Sequence, residues 1–161
     1  MADEQQPAPQ GEAEKRTIQP VKYYLKDVSF ETPNSPAVFL KEWIPNLELD
    51  IGNSNALTND GHHEVTLTLT VTVKTGGETA YLAEVHQAGL FAITGFDDER
   101  LERLYSIYCN RSLYPYACSA LSDLVSKGGF PQLLLSPINW LQIYEQRIAK
   151  EEPETPVTEE S

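Results

Sequence analysis

Cysteine is scarce: the chain has two, Cys109 and Cys118, nine positions apart. That excludes a disulfide framework, and the spacing lacks the short paired intervals of a zinc site, so two reduced thiols in a helical stretch are expected. Long apolar runs are missing, and none approaches the roughly 20 residues a spanning helix needs. The N-terminus has neither the basic n-region nor the apolar h-region of a secretory peptide. These absences point to a cytoplasmic protein. Bases are few: 12 against 24 acids, a formal charge of -12. Such a chain repels phosphate backbones and anionic lipid surfaces, which argues against a general nucleic-acid or membrane-surface binder and favours basic partners.

Enzyme signatures are also missing. The chain has no phosphate-cradling glycine loop, no Gly-x-Ser-x-Gly elbow and no His-Glu-x-x-His pair. His62 and His63 beside Gly61 read as an exposed loop pair, and His86 alternates with Glu84 on a wet strand face as a solvated pair. No catalysis, metal or cofactor is expected.

What is present is enough for a core. Hydrophobic residues make up 40% of the 161 positions, which with 9 glycines falls in the globular range. Residues 1–17 and 150–161 are acidic and rich in Pro, Gln, Thr and Ser, with almost nothing apolar to bury. They read as disordered tails around one domain, 18–149.

Val65-Thr66-Leu67-Thr68-Leu69-Thr70-Val71-Thr72-Val73 alternates apolar and threonine, the period of a strand with one wet face. Gly76-Gly77 turns the chain into a second run, Thr79 to about Thr94, with Tyr81, Ala83 and Val85 on one side and Leu82, Glu84 and His86 on the other. Tyr24–Glu31 and Leu47–Ile51 alternate similarly, and Thr32-Pro33-Asn34-Ser35-Pro36 opens a long crossover between them. Four strands of one antiparallel sheet follow.

After Gly95 the spacing becomes helical. Asp97-Asp98-Glu99 gives an acidic first turn before Leu101, Leu104, Tyr105 and Tyr108. A separate helix is expected over about Ser112–Ser126, with Tyr114, Ala117, Leu121, Leu124 and Val125 as its stripe, ended by Gly128-Gly129. Ser136-Pro137 reads as N-cap and first position of a last helix that presents Leu141, Tyr144 and Ile148. Strands first and helices second indicate an α+β fold, with the helices on one face of the sheet.

Two features stand out. Asp27, Glu31 and Glu84 fall on outward faces of strands, a cluster of like charge suited to a basic partner. The crossover Val38-Phe39-Leu40-Lys41-Glu42-Trp43-Ile44 is dense in large apolar residues without periodicity. It covers the core, or else Phe39, Trp43 and Ile44 line an apolar groove for extended chain segments.

The run Tyr24–Pro36 closely resembles the opening motif of the SecB family of bacterial protein-export chaperones. The resemblance continues through Thr79–Val85, Leu113-Tyr114-Pro115-Tyr116-Ala117, Gly129-Phe130-Pro131-Gln132-Leu133 and Leu135-Ser136-Pro137-Ile138-Asn139-Trp140, and so covers about residues 18–148. It departs at Cys118, where the family often has Arg, and at Trp140, where Phe is frequent. The resemblance implies a cytoplasmic homotetramer, a dimer of dimers, that binds unfolded precursor proteins without ATP and delivers them to the motor ATPase SecA. It implies SecA contact at Asp27, Glu31, Leu82 and Glu84. It also implies a subunit contact near the inward face of the fourth strand, at Ala83, Val85 and Gln87. The alternative is a SecB-like chaperone dedicated to a different client, such as an antitoxin.

Overall fold

The computed structural model describes residues 15–151, so the expected tails lie outside the described residues except at their margins. Thr17 already opens a strand and Lys150 and Glu151 close a helix, which lengthens the folded part by a residue or two at each end. Four long strands, β1 (Thr17–Glu31), β2 (Pro45–Leu57), β3 (His63–Thr75) and β4 (Glu78–Thr94), form one antiparallel sheet in the order β1-β4-β3-β2. The β3 alternation resolves as expected: Val65, Leu67, Leu69, Val71 and Val73 are fully buried.

β1 is longer than its clean alternation because its phase breaks twice, at Val21 and at Lys26. Each bulge inserts one unpaired residue and resets which side chains face the core. Leu25 therefore pairs with inward Gln87, while Asp27, two residues on, pairs with outward His86. A regular strand would point residues 25 and 27 the same way. The bulge at Lys26 is what turns Asp27 out.

The helices lie on one face of the sheet. α1 (Asp98–Leu104) starts at Asp97, whose carboxylate accepts from Arg100 N at 2.9 Å. It does not end before the next helix. A π turn, Tyr105–Cys109, joins it to α2 (Asn110–Lys127), so the two expected helices are one continuous rod. Asn53 of β2 holds the widened turn: its amide donates to Asn110 Oδ1 at 2.5 Å and reaches the Tyr105 carbonyl at 3.5 Å. Asn110 in turn donates to the Ser106 carbonyl at 3.0 Å. Polar side chains mid-rod thus satisfy one another and stabilise the extra residue.

α2 buries Leu113, Tyr114, Ala117, Leu121 and Val125, one stripe at helical spacing, against the same core as β3 and β4. Cys109 is buried beneath it, and burial pushes its thiol up to about 12, far from reactivity. α3 (Trp140–Glu151) begins later than Ser136-Pro137 suggested. Asn139 caps it instead, its side chain accepting from Gln142 N at 3.1 Å, while the Ser136 carbonyl is taken by the Tyr114 hydroxyl at 2.7 Å. Tyr144 and Ile148 are half-buried as expected, but Leu141 is 38% exposed. Among the described residues no helix is long and apolar enough to cross a membrane.

His62 and His63 are not an exposed pair. Both are half-buried: His63 starts β3 with Nδ1 2.5 Å from the Tyr105 hydroxyl, and His62 meets Asp60 at 3.1 Å.

Candidate functional site

The sheet has a wet face and a covered face, and each carries one of the expected surfaces. On the wet face, register decides neighbours, because directly paired residues of antiparallel strands share a face. Glu31 lies opposite Leu82, Ser29 opposite Glu84 and Asp27 opposite His86. Across β4 the same rows continue into Thr72, Thr70 and Thr68, and then into Glu48 and Asp50 of β2. Asp27, Glu31, Leu82 and Glu84 are thus brought together around the β1–β4 seam, and two further carboxylates share their face.

Threonine and histidine hold this surface in place. Glu84 Oε1 accepts from His86 Nε2 at 2.5 Å, and Glu84 Oε2 accepts from the Thr70 hydroxyl at 3.3 Å. With Nε2–H so engaged, His86 Nδ1 accepts from the Thr68 hydroxyl at 3.1 Å. Asp27 Oδ1 takes the next residue's backbone N–H, from Val28, at 2.9 Å. The Glu84 and His86 side chains remain 37% and 32% exposed, open to a partner. Further along the seam, Glu64 accepts from the Lys26 ammonium at 2.5 Å and from the Tyr24 hydroxyl. The Lys26 ammonium holds the Glu64 carboxyl below its ordinary range, and burial beside that carboxylate pushes the Tyr24 phenol up to about 12.

On the covered face, the crossover is pinned by hydrogen bonds to β3 and β4. Thr32 donates to the Ala80 carbonyl at 3.0 Å and Asn34 to the Thr79 carbonyl at 2.9 Å, while Thr75 Oγ1 accepts from Ile44 N at 2.9 Å and donates to the Glu42 carbonyl at 3.0 Å. Val38 is buried and anchors the segment. Phe39 and Trp43 then converge on Phe130, at centroid distances of 4.9 and 5.7 Å. Tyr81 and Phe30 complete the cluster at 4.8 and 6.4 Å from the same ring. Phe130 is its hub, and the Gly128-Gly129 turn positions it. A Cβ on Gly128 would sit 2.2 Å from Phe30, so the close approach needs glycine.

The hub, Phe130, is not among the residues expected from the sequence to line the groove, Phe39, Trp43 and Ile44. The signal was a lone aromatic directly after a glycine pair, outside any periodic element. Phe39 is 47% exposed and Trp43 half-buried, so both present ring surface to solvent while resting on the core. Ile44 is 60% exposed, and neither it nor Phe39 lines the cavity of about 180 Å³ that Trp43, Leu47, Val73, Tyr81 and Leu133 form; Phe39 borders it through its contact with Phe130. The helices pack on β4, β3 and β1 but leave much of β2 open, so Leu47 and Ile51 of the inward face stay 39% and 36% exposed. A second hollow of about 780 Å³ lies between β1 and α2, walled by Tyr23, Leu25, Tyr116 and the segment that follows Phe130. Together these give a discontinuous trough, apolar at the aromatic cluster and mixed between β1 and α2, where Ser119, Ser122, Asp123 and Gln132 join the wall.

Ala83, Val85 and Gln87 are 1%, 0% and 4% exposed, covered by the chain's own helix layer. Gln87 spends its amide on the Tyr24 carbonyl at 3.2 Å.

The carboxylate-rich surface and the aromatic cluster lie on opposite faces of one sheet. The chain's sequence matches the family described as "Preprotein translocase subunit SecB" over residues 11–151. "Protein-export protein SecB" of Alkalilimnicola ehrlichii is 47% identical over 156 residues, spanning 93% of this chain and 83% of its own. The protein of the same name from Thioalkalivibrio sulfidiphilus is 49% identical over 152 residues, 93% of this chain and 90% of its own. The chain belongs to the SecB family of protein-export proteins. In fold it resembles a SecB-like chaperone of Mycobacterium tuberculosis solved with an antitoxin peptide, at a TM-score of 0.63 and 17% identity, covering 76% of this chain and 91% of the other.

Proposed function

We propose that this chain is a cytoplasmic, ATP-independent holdase that keeps unfolded precursor proteins competent for export and hands them to SecA. The mechanism needs no bond chemistry. Separated apolar hollows each take a short stretch of extended client, and affinity accumulates over many weak contacts in one multivalent assembly. The half-exposed rings of Phe39 and Trp43 suit that role, being large, rigid and tolerant of sequence. A homotetramer, assembled as a dimer of dimers, would multiply these hollows. Support for assembly comes from β1, an open sheet edge whose Val21, Leu25 and Val28 are 52%, 49% and 39% exposed.

The observation that carries the SecA reading is the meeting of Asp27, Glu31, Leu82 and Glu84 on one wet surface. Carboxylates around an apolar side chain offer a basic partner both steering and a dry contact. Relatives with export names at 47–49% identity favour this reading over a chaperone dedicated to an antitoxin.

The test is Asp27→Asn with Glu84→Gln, nearly isosteric changes on a solvated face. SecA affinity drops at least tenfold, client affinity and thermal stability stay within error, and wild-type SecA affinity falls as salt rises, because the Debye length shrinks from about 10 Å at 0.1 M to about 3 Å at 1 M. Unchanged SecA affinity in the double variant would reduce these carboxylates to solubilising charge.

A further inference from the structure

Four of the chain's five arginines, Arg16, Arg100, Arg103 and Arg111, line one cleft of about 490 Å³, around a floor that includes Leu104 and Tyr108. Neither the acidic face nor the aromatic trough contains any of them. Residues 100, 104, 108 and 111 recur every three or four positions, with 103 beside 104, and so share one side of the α1–α2 rod. Arg16 reaches the same place because the backbone passes close over Gly95, where a Cβ would lie 3.0 Å from Arg16 Cα.

The lining contains no acid. Among the described residues the arginine ion pairs are Arg100 with Asp97, at 3.7 Å and well exposed, and Arg147 with Glu102. The Arg103 guanidinium stands 5.7 Å from the Tyr144 ring centroid, a contact that uses the cation's face and leaves its N–H donors available. In a chain of charge -12, positive charge is gathered here without a counter-charge in the lining.

We propose that the cleft binds the acidic segment 152–161 of the same chain. That segment carries Glu152, Glu154, Glu159 and Glu160, has no base, and offers Val157 to the apolar floor. Four carboxylates match four guanidiniums, and bidentate pairing suits them. Reach is sufficient. Leu141 of α3 lines the cleft, and from there to Glu151 the helix runs about 15 Å. Ten extended residues span up to about 33 Å, enough to fold back. This docking is independent of the export reading.

Limited digestion of the full chain with a glutamate-specific protease, followed by intact mass, tests this. At low salt, cleavage within 152–160 is about tenfold slower in the wild type than in Arg103→Gln/Arg111→Gln, as expected for a few cooperating surface pairs, and the ratio approaches one at 1 M salt. A charge swap guards against a mere folding loss: Arg103→Glu/Arg111→Glu exposes Glu159 and Glu160 to cleavage, and adding Glu152→Lys/Glu154→Lys restores their protection. Equal cleavage in the wild type and Arg103→Gln/Arg111→Gln overturns the proposal. So does a difference confined to Glu12 and Glu14, which would give the cleft to the other terminus. Protection lost on dilution would assign it to a neighbouring copy and overturn intrachain docking.

Discussion

Phe39 and Phe130 touch, at 4.9 Å between centroids, yet truncating them should have opposite consequences. Phe130 is 7% exposed and touches Phe30, Phe39, Trp43 and Tyr81, so Phe130→Ala removes a core side chain and leaves a hole among rings that cannot collapse together. Core Phe→Ala changes cost about 3–5 kcal/mol. Phe39 is 47% exposed, so about half of its ring is removed from water on folding. Full burial of such a side chain is worth about 1.5–3 kcal/mol, which leaves about 0.7–1.5 kcal/mol for Phe39→Ala, with no closed cavity to add to it. Urea titration of both variants gives the stabilities, and fluorescence anisotropy of a labelled unfolded precursor gives the affinities. Phe39→Ala should lose client affinity at least fivefold while its urea midpoint barely moves, whereas Phe130→Ala should lose stability first. If Phe39→Ala cost 3 kcal/mol or more and bound client normally, the crossover would be a core cover and the trough reading would be wrong.

Ala83→Tyr should overpack the layer under α2 at a typical cost of about 1–3 kcal/mol, and light scattering should report a species smaller than the wild type. An unchanged mass would separate β4 packing from assembly. Acid should loosen the β3 start: burial lowers the His63 pKa, and Lys26 then Tyr24 lower that of Glu64. A depressed folded pKa means stability that is present above the unfolded value and lost as pH falls through the folded one, so both groups lose stability in that direction. His63→Gln should flatten the part of the melting-temperature decline that begins below about pH 6.5, with the rest, from Glu64, appearing below about pH 4.5. A decline in His63→Gln that matches the wild type throughout would remove His63 from the account.

Strand content was legible wherever alternation ran unbroken. Thr66, Thr68, Thr70 and Thr72 fix the phase of β3 without help from any other part of the chain. β1 was half legible: its apolar set shifts sides at Val21 and Lys26, and no periodicity survives two bulges. Even so, the stretch after the second bulge was long enough to put Asp27 and Glu31 on the correct side. The π turn was not legible, because Ser106 and Asn110 look like helix breakers until Asn53, more than fifty residues away, is there to satisfy them. Ser136 misled for the same reason: the better cap, Asn139, wins once Tyr114 claims the Ser136 carbonyl. The importance of Phe130 lies in four partners from three other segments, β1, the crossover and β4, which no local pattern reveals.

Arrest of refolding tests the central claim most directly. A slowly folding precursor is diluted out of denaturant with and without a molar excess of this chain, no nucleotide present, and its refolding followed by intrinsic fluorescence of a Trp-labelled client. A holdase built on the trough predicts that refolding stalls in proportion to the chaperone added, and that Phe39→Ala restores most of the spontaneous rate. Refolding at the same rate with and without the wild-type chain would contradict the account.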